Sequence, residues 1–252
     1  MKQFDELLAE DVQNSIQFDQ HFLIDAILAK KCTDLLCGTK EDVIIEIGPG
    51  KGALTEHISD LNLILVERDP KLIFDLMQKF PNAQILNENI LEVIDTIPAT
   101  KIIGSLPYAI VESLFRKLIF IPFSRAVFIV PQNFAENIIS SSTSLGFTLN
   151  HFLEIKEEGI VPSEAFFPAP KVTSVILVVT KKQLSRPDAF FVFYSQHHKK
   201  CKNAFRESLV FLKKMTKTQA REKIKDLSNI LLEKNVKQLT KEELLFCLEL
   251  LS

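Results

Sequence analysis

The stretch Val43-Ile44-Ile45-Glu46-Ile47-Gly48-Pro49-Gly50-Lys51-Gly52-Ala53-Leu54-Thr55 decides the fold. Its apolar, β-branched start reads as a buried strand, and that strand stops at a glycine cluster that opens a helix. Glycine lets the backbone bend sharply and approach a ligand, because no Cβ stands in the way. The helix expected over Ala53 to Ser59 would point its free N–H groups back at the gap. A second apolar strand, Asn62-Leu63-Ile64-Leu65-Val66, ends in Glu67, nineteen positions after Gly48. That is the spacing at which a Rossmann-type sheet sets a carboxylate on a ribose.

A tight turn without a ligand would explain the glycines alone. Strand, glycines, helix, strand and acid in series make nucleotide-type binding the better reading. The pattern G-x-G-x-G lacks the third glycine of the dinucleotide fingerprint, and no Walker lysine follows it. An S-adenosylmethionine (SAM) methyltransferase therefore fits better than a dehydrogenase or an ATPase.

Outward from this unit, residues 1–18 read as a mobile arm or a short helix. A helix is expected from about Leu23 to Leu36, closed by Gly38, and another from Pro70 to Lys79 with proline in its first turn. Further strands are expected at Ala83–Leu86, Lys101–Gly104, Ala126–Val130, Leu149–Ile155 and Val172–Val179, with helices at about 110–119 and 132–140. Strands alternating with helices argue a doubly wound, mostly parallel sheet. The last two strands have no helix between them, so one should run antiparallel at the edge. Beyond Val179 the pattern is helical, with segments near 187–214, 218–233 and 240–251. The resulting division is a catalytic domain over 1–180 and a helical domain over 181–252.

Ligands of an open parallel sheet bind at the carboxyl ends of its strands. Four polar signals fall there: Glu46 through Gly50, Glu67, Glu88-Asn89, and Ser105-Leu106-Pro107-Tyr108. Glu67 can accept from both ribose hydroxyls. Asn89 is placed to meet the adenine edge, with Ile90 packing on the ring. Ser105 through Tyr108 is the reactive candidate. An exocyclic amine is a poor nucleophile because its lone pair is delocalised into the ring. A hydroxyl and a main-chain carbonyl held by Pro107 can accept its N–H groups as positive charge develops. Tyr108 would stack on a flipped base.

The chain has 252 residues and a net charge of −2, distributed unevenly. Residues 1–180 carry 14 Lys/Arg against 24 Asp/Glu, whereas residues 181–225 carry 13 against 3. A basic segment on an acidic body suggests a polyanion-facing appendage. Lys199, Lys200, Lys202 and Arg206 are the RNA-facing candidates, three of them at i, i+3 and i+7 on one expected helical face. No apolar run approaches a membrane span, and the acidic start lacks a signal-peptide segment. A soluble, cytoplasmic monomer is expected. The four cysteines and five histidines are scattered, so neither a metal site nor a disulfide framework is expected.

These residues resemble the KsgA family of rRNA adenine N6-dimethyltransferases, related to the Erm methyltransferases. The likeness is carried by Gln20-His21-Phe22-Leu23-Ile24-Asp25, Glu46 through Thr55, Val66-Glu67-Arg68-Asp69, and Leu106-Pro107-Tyr108. It is completed by Phe166-Phe167-Pro168-Ala169-Pro170-Lys171-Val172-Thr173-Ser174 and by the basic run Gln196–Ala204. The resemblance implies a class I SAM-dependent methyltransferase fold with a small helical C-terminal domain. It implies dimethylation of two adjacent adenosines near the 3′ end of small-subunit rRNA, in a pre-ribosomal particle. Gln20, Phe22, Gly48, Glu67 and Asn89 would line the cofactor, while Ser105, Leu106 and Tyr108 hold the target amine. The family has Asn at the position of Ser105 and Asp at that of Asn89, which also raises a non-catalytic, RNA-binding assembly factor as the second reading.

Overall fold

The structure, a computed structural model, describes residues 20–183, 188–225 and 227–251. The arm or short helix expected over 1–18 lies outside them. The first described elements are a two-residue strand, β1 (Phe22–Leu23), and helix α1 (Ala26–Leu36). Asp25 starts α1 by accepting the N–H groups of Ile27 and Leu28 at 2.9 and 3.0 Å. Cys37, not Gly38, takes the left-handed conformation that ends the helix (φ 53°). Gly38 answers to packing instead, since a Cβ there would lie 2.9 Å from Leu61 Cδ1.

The central sheet comprises β2 (Val43–Ile47), β3 (Asn62–Val66), β4 (Gln84–Leu86), β5 (Lys101–Ser105), β6 (Arg125–Pro131), β7 (Leu153–Val161) and β9 (Ser174–Lys181). Its order is β4-β3-β2-β5-β6-β9-β7, while β1 pairs with β8 (Phe166–Phe167) in a separate ribbon. β2 is central, with Ile45 registered between Ile64 of β3 and Ile102 of β5. Burial on both faces explains why its sequence is continuously apolar rather than alternating. β9 runs antiparallel to both neighbours, as a connection without a crossover helix requires. It sits one place in from the edge, and the edge strand β7 points the same way as β6. The class I methyltransferase sheet anticipated from the sequence is present, with this difference in where its antiparallel strand lies.

Between the strands lie α2 (Pro70–Lys79), α3 (Ile90–Val93), α4 (Val111–Leu118) and α5 (Gln132–Ile139). Two local expectations are corrected. The helix after the glycines reduces to a 3-10 turn, Thr55–His57, because Gly48, Gly50 and Gly52 all hold positive φ and leave few residues before Asp60. The segment from Leu149 to Phe152 is not strand; it ends helix α6 (Ser144–Phe152), burying Leu149 and Phe152 one turn apart. A short apolar run fits either state, and packing decides.

The chain forms two units, one of Met1–Ile139 with Leu153–Lys181, the other of Ser140–Phe152 with Lys182–Ser252. The second unit thus takes α6 from within the stretch 1–180. It holds α7 (Ala189–Tyr194), α8 (Cys201–Lys213), α9 (Lys217–Lys223), α10 (Asn229–Glu233) and α11 (Lys241–Leu251). The helices expected over 187–214 and 218–233 are therefore each broken. At the first break the Cys201 N–H donates to the Lys234 carbonyl at 2.8 Å and the Val236 N–H to that of Lys199 at 3.1 Å. Backbone pairing between distant connectors replaces helical bonds there. Phe190 and Phe193 anchor this unit, packing on Phe152 and Phe205 at ring distances of 5.2 and 5.1 Å. Among the described residues no helix is long and apolar enough to cross a membrane.

Candidate active site

β2 has β3 on one side and β5 on the other, so the chains leaving β2 and β5 diverge and a crevice opens between them. A cleft of about 150 Å³ lies there. The structure brings to it Gln20, Phe22, Gly48, Gly50, Glu67, Asn89, Ile90 and Ser105 through Tyr108. Glu46 is the exception among the cofactor and catalytic candidates. It lies under the glycine loop, lining a smaller cavity with Lys51 and Ser105.

Glu67 ends β3 and is only 5 % exposed. Its Oε1 accepts the Asp69 N–H at 2.8 Å and its Oε2 accepts the Gly50 N–H at 3.2 Å. Burial raises its pKa above the usual carboxylate range, and the two backbone donors work against that rise. The carboxylate is thereby fixed, with lone pairs left over for hydroxyls in the cleft. Glu46 is 1 % exposed, and its Oε2 accepts the Thr55 hydroxyl at 2.7 Å. Desolvation pushes its pKa up to about 7.

Gly48 (φ 62°) borders open space where a side chain would project, whereas a Cβ on Gly50 (φ 57°) would lie 3.0 Å from the Phe22 ring. The loop therefore presents bare backbone to the cleft. Gln20 donates from Nε2 to Asp69 Oδ2 at 3.3 Å, while its Oε1 is buried without a partner. An orphaned acceptor at a cleft wall calls for a donor from a ligand. Asn89 caps α3, accepting the Leu91 N–H at 3.1 Å and donating to Glu92 Oε1 at 3.1 Å. Part of its capacity is thus spent on the helix, leaving one acceptor lone pair for an adenine amine. Bare backbone, a fixed carboxylate and an unmet acceptor fit the nucleoside and amino-acid ends of SAM.

Three contributors lacked an assigned role in the sequence reading. The β1–β8 pairing (Phe22↔Phe167) carries the Gln20–Asp25 segment onto the Phe166–Ser174 motif, almost 150 residues away along the chain. His21 Nδ1 meets the Pro168 carbonyl oxygen at 2.7 Å. Ser174, 1 % exposed, lies with its hydroxyl 3.1 Å from the Tyr108 hydroxyl. Phe166 and Ser174 both line the cleft. The signal was their position in the F-x-P-x-P-K-V-x-S stretch; what they contact was not readable from it.

The basic candidates of the second unit are arranged differently from the expectation. Lys199 and Lys200 precede α8, so Lys199, Lys202 and Arg206 do not share one helical face. Lys199 pairs with Glu207 at 2.6 Å, and Lys200 and Lys202 both pair with Glu233. The Lys200 bond, followed by that from Lys202, holds the Glu233 carboxyl down at about 2. Arg206 donates to Asn203 Oδ1 at 3.2 Å. These cations are engaged within their own unit.

Residues 12–252 match the family model described as ribosomal RNA adenine dimethylase. A protein of Hydrogenobaculum sp. named ribosomal RNA small subunit methyltransferase A is 36 % identical over 175 residues, covering 66 % of this chain and 69 % of that protein. A Methanosarcina barkeri protein named "Probable ribosomal RNA small subunit methyltransferase A" is 29 % identical, covering 90 % of this chain and 84 % of its own. A crystal structure of a dimethyladenosine transferase from Plasmodium falciparum shares the fold at TM-score 0.65 and 21 % identity, over 91 % of this chain and 96 % of that one. The 23S rRNA methyltransferase ErmE does so at TM-score 0.60 and 19 % identity, over 91 % and 99 %.

Proposed function

The chain belongs to the ribosomal RNA adenine dimethylase family, and on that premise we propose that it transfers methyl groups from SAM to N6 of two adjacent adenosines near the 3′ end of small-subunit rRNA. It is a SAM-dependent RNA methyltransferase, and its substrate is small-subunit rRNA carried in an assembling particle. We place it in the cytoplasm as a monomer. The observation that carries this reading is that carboxylate, glycine loop and Ser105–Tyr108 shelf, read separately from the sequence, line one cleft.

SAM supplies an electrophilic methyl group on a sulfonium. The chain's residues do the rest. Glu67 holds the ribose hydroxyls, the Gln20 carbonyl takes a donor from the bound molecule, and Ile90 packs against the adenine. Phe22 closes the wall beside Gly50. Ser105 Oγ and a main-chain carbonyl of the Leu106-Pro107 turn accept the N–H groups of the target amine, favouring the pyramidal, positively charged nitrogen of the transition state. Tyr108, held by Ser174, offers its ring to a base that has left its stack. No strong general base is needed, because the methylated amine becomes acidic.

Purified protein with labelled SAM and immature small subunits should yield labelled rRNA adenosines, and Glu67→Ala should abolish both labelling and SAM uptake by calorimetry. SAM uptake without transfer to any subunit particle would overturn the proposal. The non-catalytic reading raised by Ser105 and Asn89 is not favoured, since the named relatives are methyltransferases.

A further inference from the structure

Methyl transfer from a sulfonium moves a positive charge as well as a carbon. As the N–C bond forms and the S–C bond breaks, the sulfur becomes a neutral thioether. The charge passes to adenosine N6, which then carries a methyl group, two protons and no lone pair. A second methyl cannot be added until one of those protons has left. Its acidity makes a strong base unnecessary, yet a group at the cleft must receive it.

His21 stands beside the Ser105–Tyr108 shelf. It lines both the cleft and the smaller cavity that includes Ser105, and its ring centroid lies 6.2 Å from that of Tyr108. Its Nδ1 meets the Pro168 carbonyl oxygen at 2.7 Å. A carbonyl oxygen only accepts, so Nδ1 carries the hydrogen, and in the neutral ring the basic lone pair belongs to Nε2. The pairing of β1 with β8 imposes this tautomer, because the register Phe22↔Phe167 sets His21 opposite Pro168. His21 is half-buried, so a proton taken up there can pass on to water.

The other ionisable groups around the cleft are less suited. Lys51 and Arg68 already hold their protons. The Tyr108 hydroxyl is shared with Ser174. Glu67 is held by two backbone N–H groups, and Asp69 by Gln20 and the Lys71 N–H at 3.0 Å. Glu88 is exposed, and a hydrated carboxylate is a weaker base than imidazole by about two pKa units. Glu46, buried under the glycine loop with the Thr55 hydroxyl on it, is the remaining rival.

We propose that His21 is the proton acceptor of the reaction. Its Nε2 takes one proton from the methylated N6, leaving a neutral amine with its lone pair restored for the second methyl. The imidazolium so formed releases the proton to water. The inference rests on the adenosine dimethylation reading. A chain that methylates no subunit particle at any pH would defeat that reading, whereas methylation indifferent to His21 would defeat only this one.

The test uses the full chain in excess over immature small subunits, with saturating labelled SAM, in single turnover from about pH 5.5 to about 8.5. The wild-type rate of the second methylation should fall toward acid, by about tenfold per pH unit once the imidazole is protonated. His21→Asn keeps an amide to donate to the Pro168 carbonyl but has no titratable nitrogen. It should lose the acid limb, run at least about tenfold slower at neutral pH and accumulate N6-monomethyladenosine, read by mass spectrometry. Free imidazole should restore dimethylation to His21→Ala, which a purely structural role would not allow. Unaltered SAM uptake by calorimetry establishes that each variant is folded, and the wild-type profile needs no variant. A flat wild-type profile, an acid limb that survives in His21→Asn, or a limb that disappears only in Glu46→Gln would each overturn the assignment.

Discussion

Glu46→Gln replaces a carboxyl that is 1 % exposed with an amide of the same shape that cannot ionise. Burial is the first cause of its raised pKa, ahead of the opposing Thr55 hydrogen bond and the charge of Glu67. In the unfolded chain the group titrates near 4.5; in the fold it titrates near 7. The folded protein therefore holds a proton that the unfolded chain has released. The stabilisation is fully present below pH 4.5 and is lost as pH rises through about 7. Two and a half pH units at about 1.4 kcal/mol each cap the effect at about 3.5 kcal/mol, of which about 2–3 falls between pH 5 and 8. Glu67 shifts in the same direction but is present in both proteins, so it largely cancels in the comparison. Denaturant titrations of wild type and variant at pH 5 and pH 8 measure the difference. The wild type should lose about 2–3 kcal/mol more than the variant over that interval, or roughly 5–10 °C in melting temperature. Parallel pH profiles would refute the reasoning, because they would mean that Glu46 is hydrated.

Three further outcomes follow from contacts at the same rim. Ser174→Ala removes the hydroxyl 3.1 Å from that of Tyr108 and should cost about 1 kcal/mol in stability. The same change should lower kcat while SAM affinity holds, and adding Tyr108→Phe should cost little more; additive losses would separate the two residues. Gly104→Ala would put a Cβ 2.7 Å from the Ile47 carbonyl oxygen, a backbone atom that cannot step aside. A loss of about 1–3 kcal/mol by chemical denaturation is expected, and a neutral result would show that the strands can part. Ser105→Asn lengthens the acceptor that faces the amine and should raise the single-turnover transfer rate by roughly tenfold, the worth of one good hydrogen bond to a developing charge. No change in rate would assign that role to the main-chain carbonyl alone.

The chemistry of the first unit was legible because it sits at strand ends. A β-branched run, a glycine cluster and an acid after the next strand are local signals, and parallel pairing brings such ends to one rim. Less legible were elements whose state depends on packing. Leu149 to Phe152 is apolar enough for strand or helix, and Phe190 on the Phe152 ring settles it. The break before Cys201 has no proline or glycine to announce it; it exists because Lys199 and Cys201 pair with the connector around Lys234 to Val236. Gly38 looked like a helix cap and is instead a packing glycine beside Leu61 and Ile44.

By itself the sequence determined the mostly parallel sheet, the glycine loop and which polar residues stand at its carboxyl rim. Backbone preference and hydrophobic periodicity act over a few residues, and these features need no more. Only the tertiary structure decided who meets whom: Ser174 with Tyr108, Lys202 with Glu233, and the buried thiols of Cys201 and Cys247, 3.9 Å apart although 46 residues separate them. Charge and hydrogen-bond partners are chosen by distance in space, which no spacing along the chain encodes. For that reason the partners of the four basic residues read as an RNA face, Glu207, Glu233 and Asn203, became visible only in the fold.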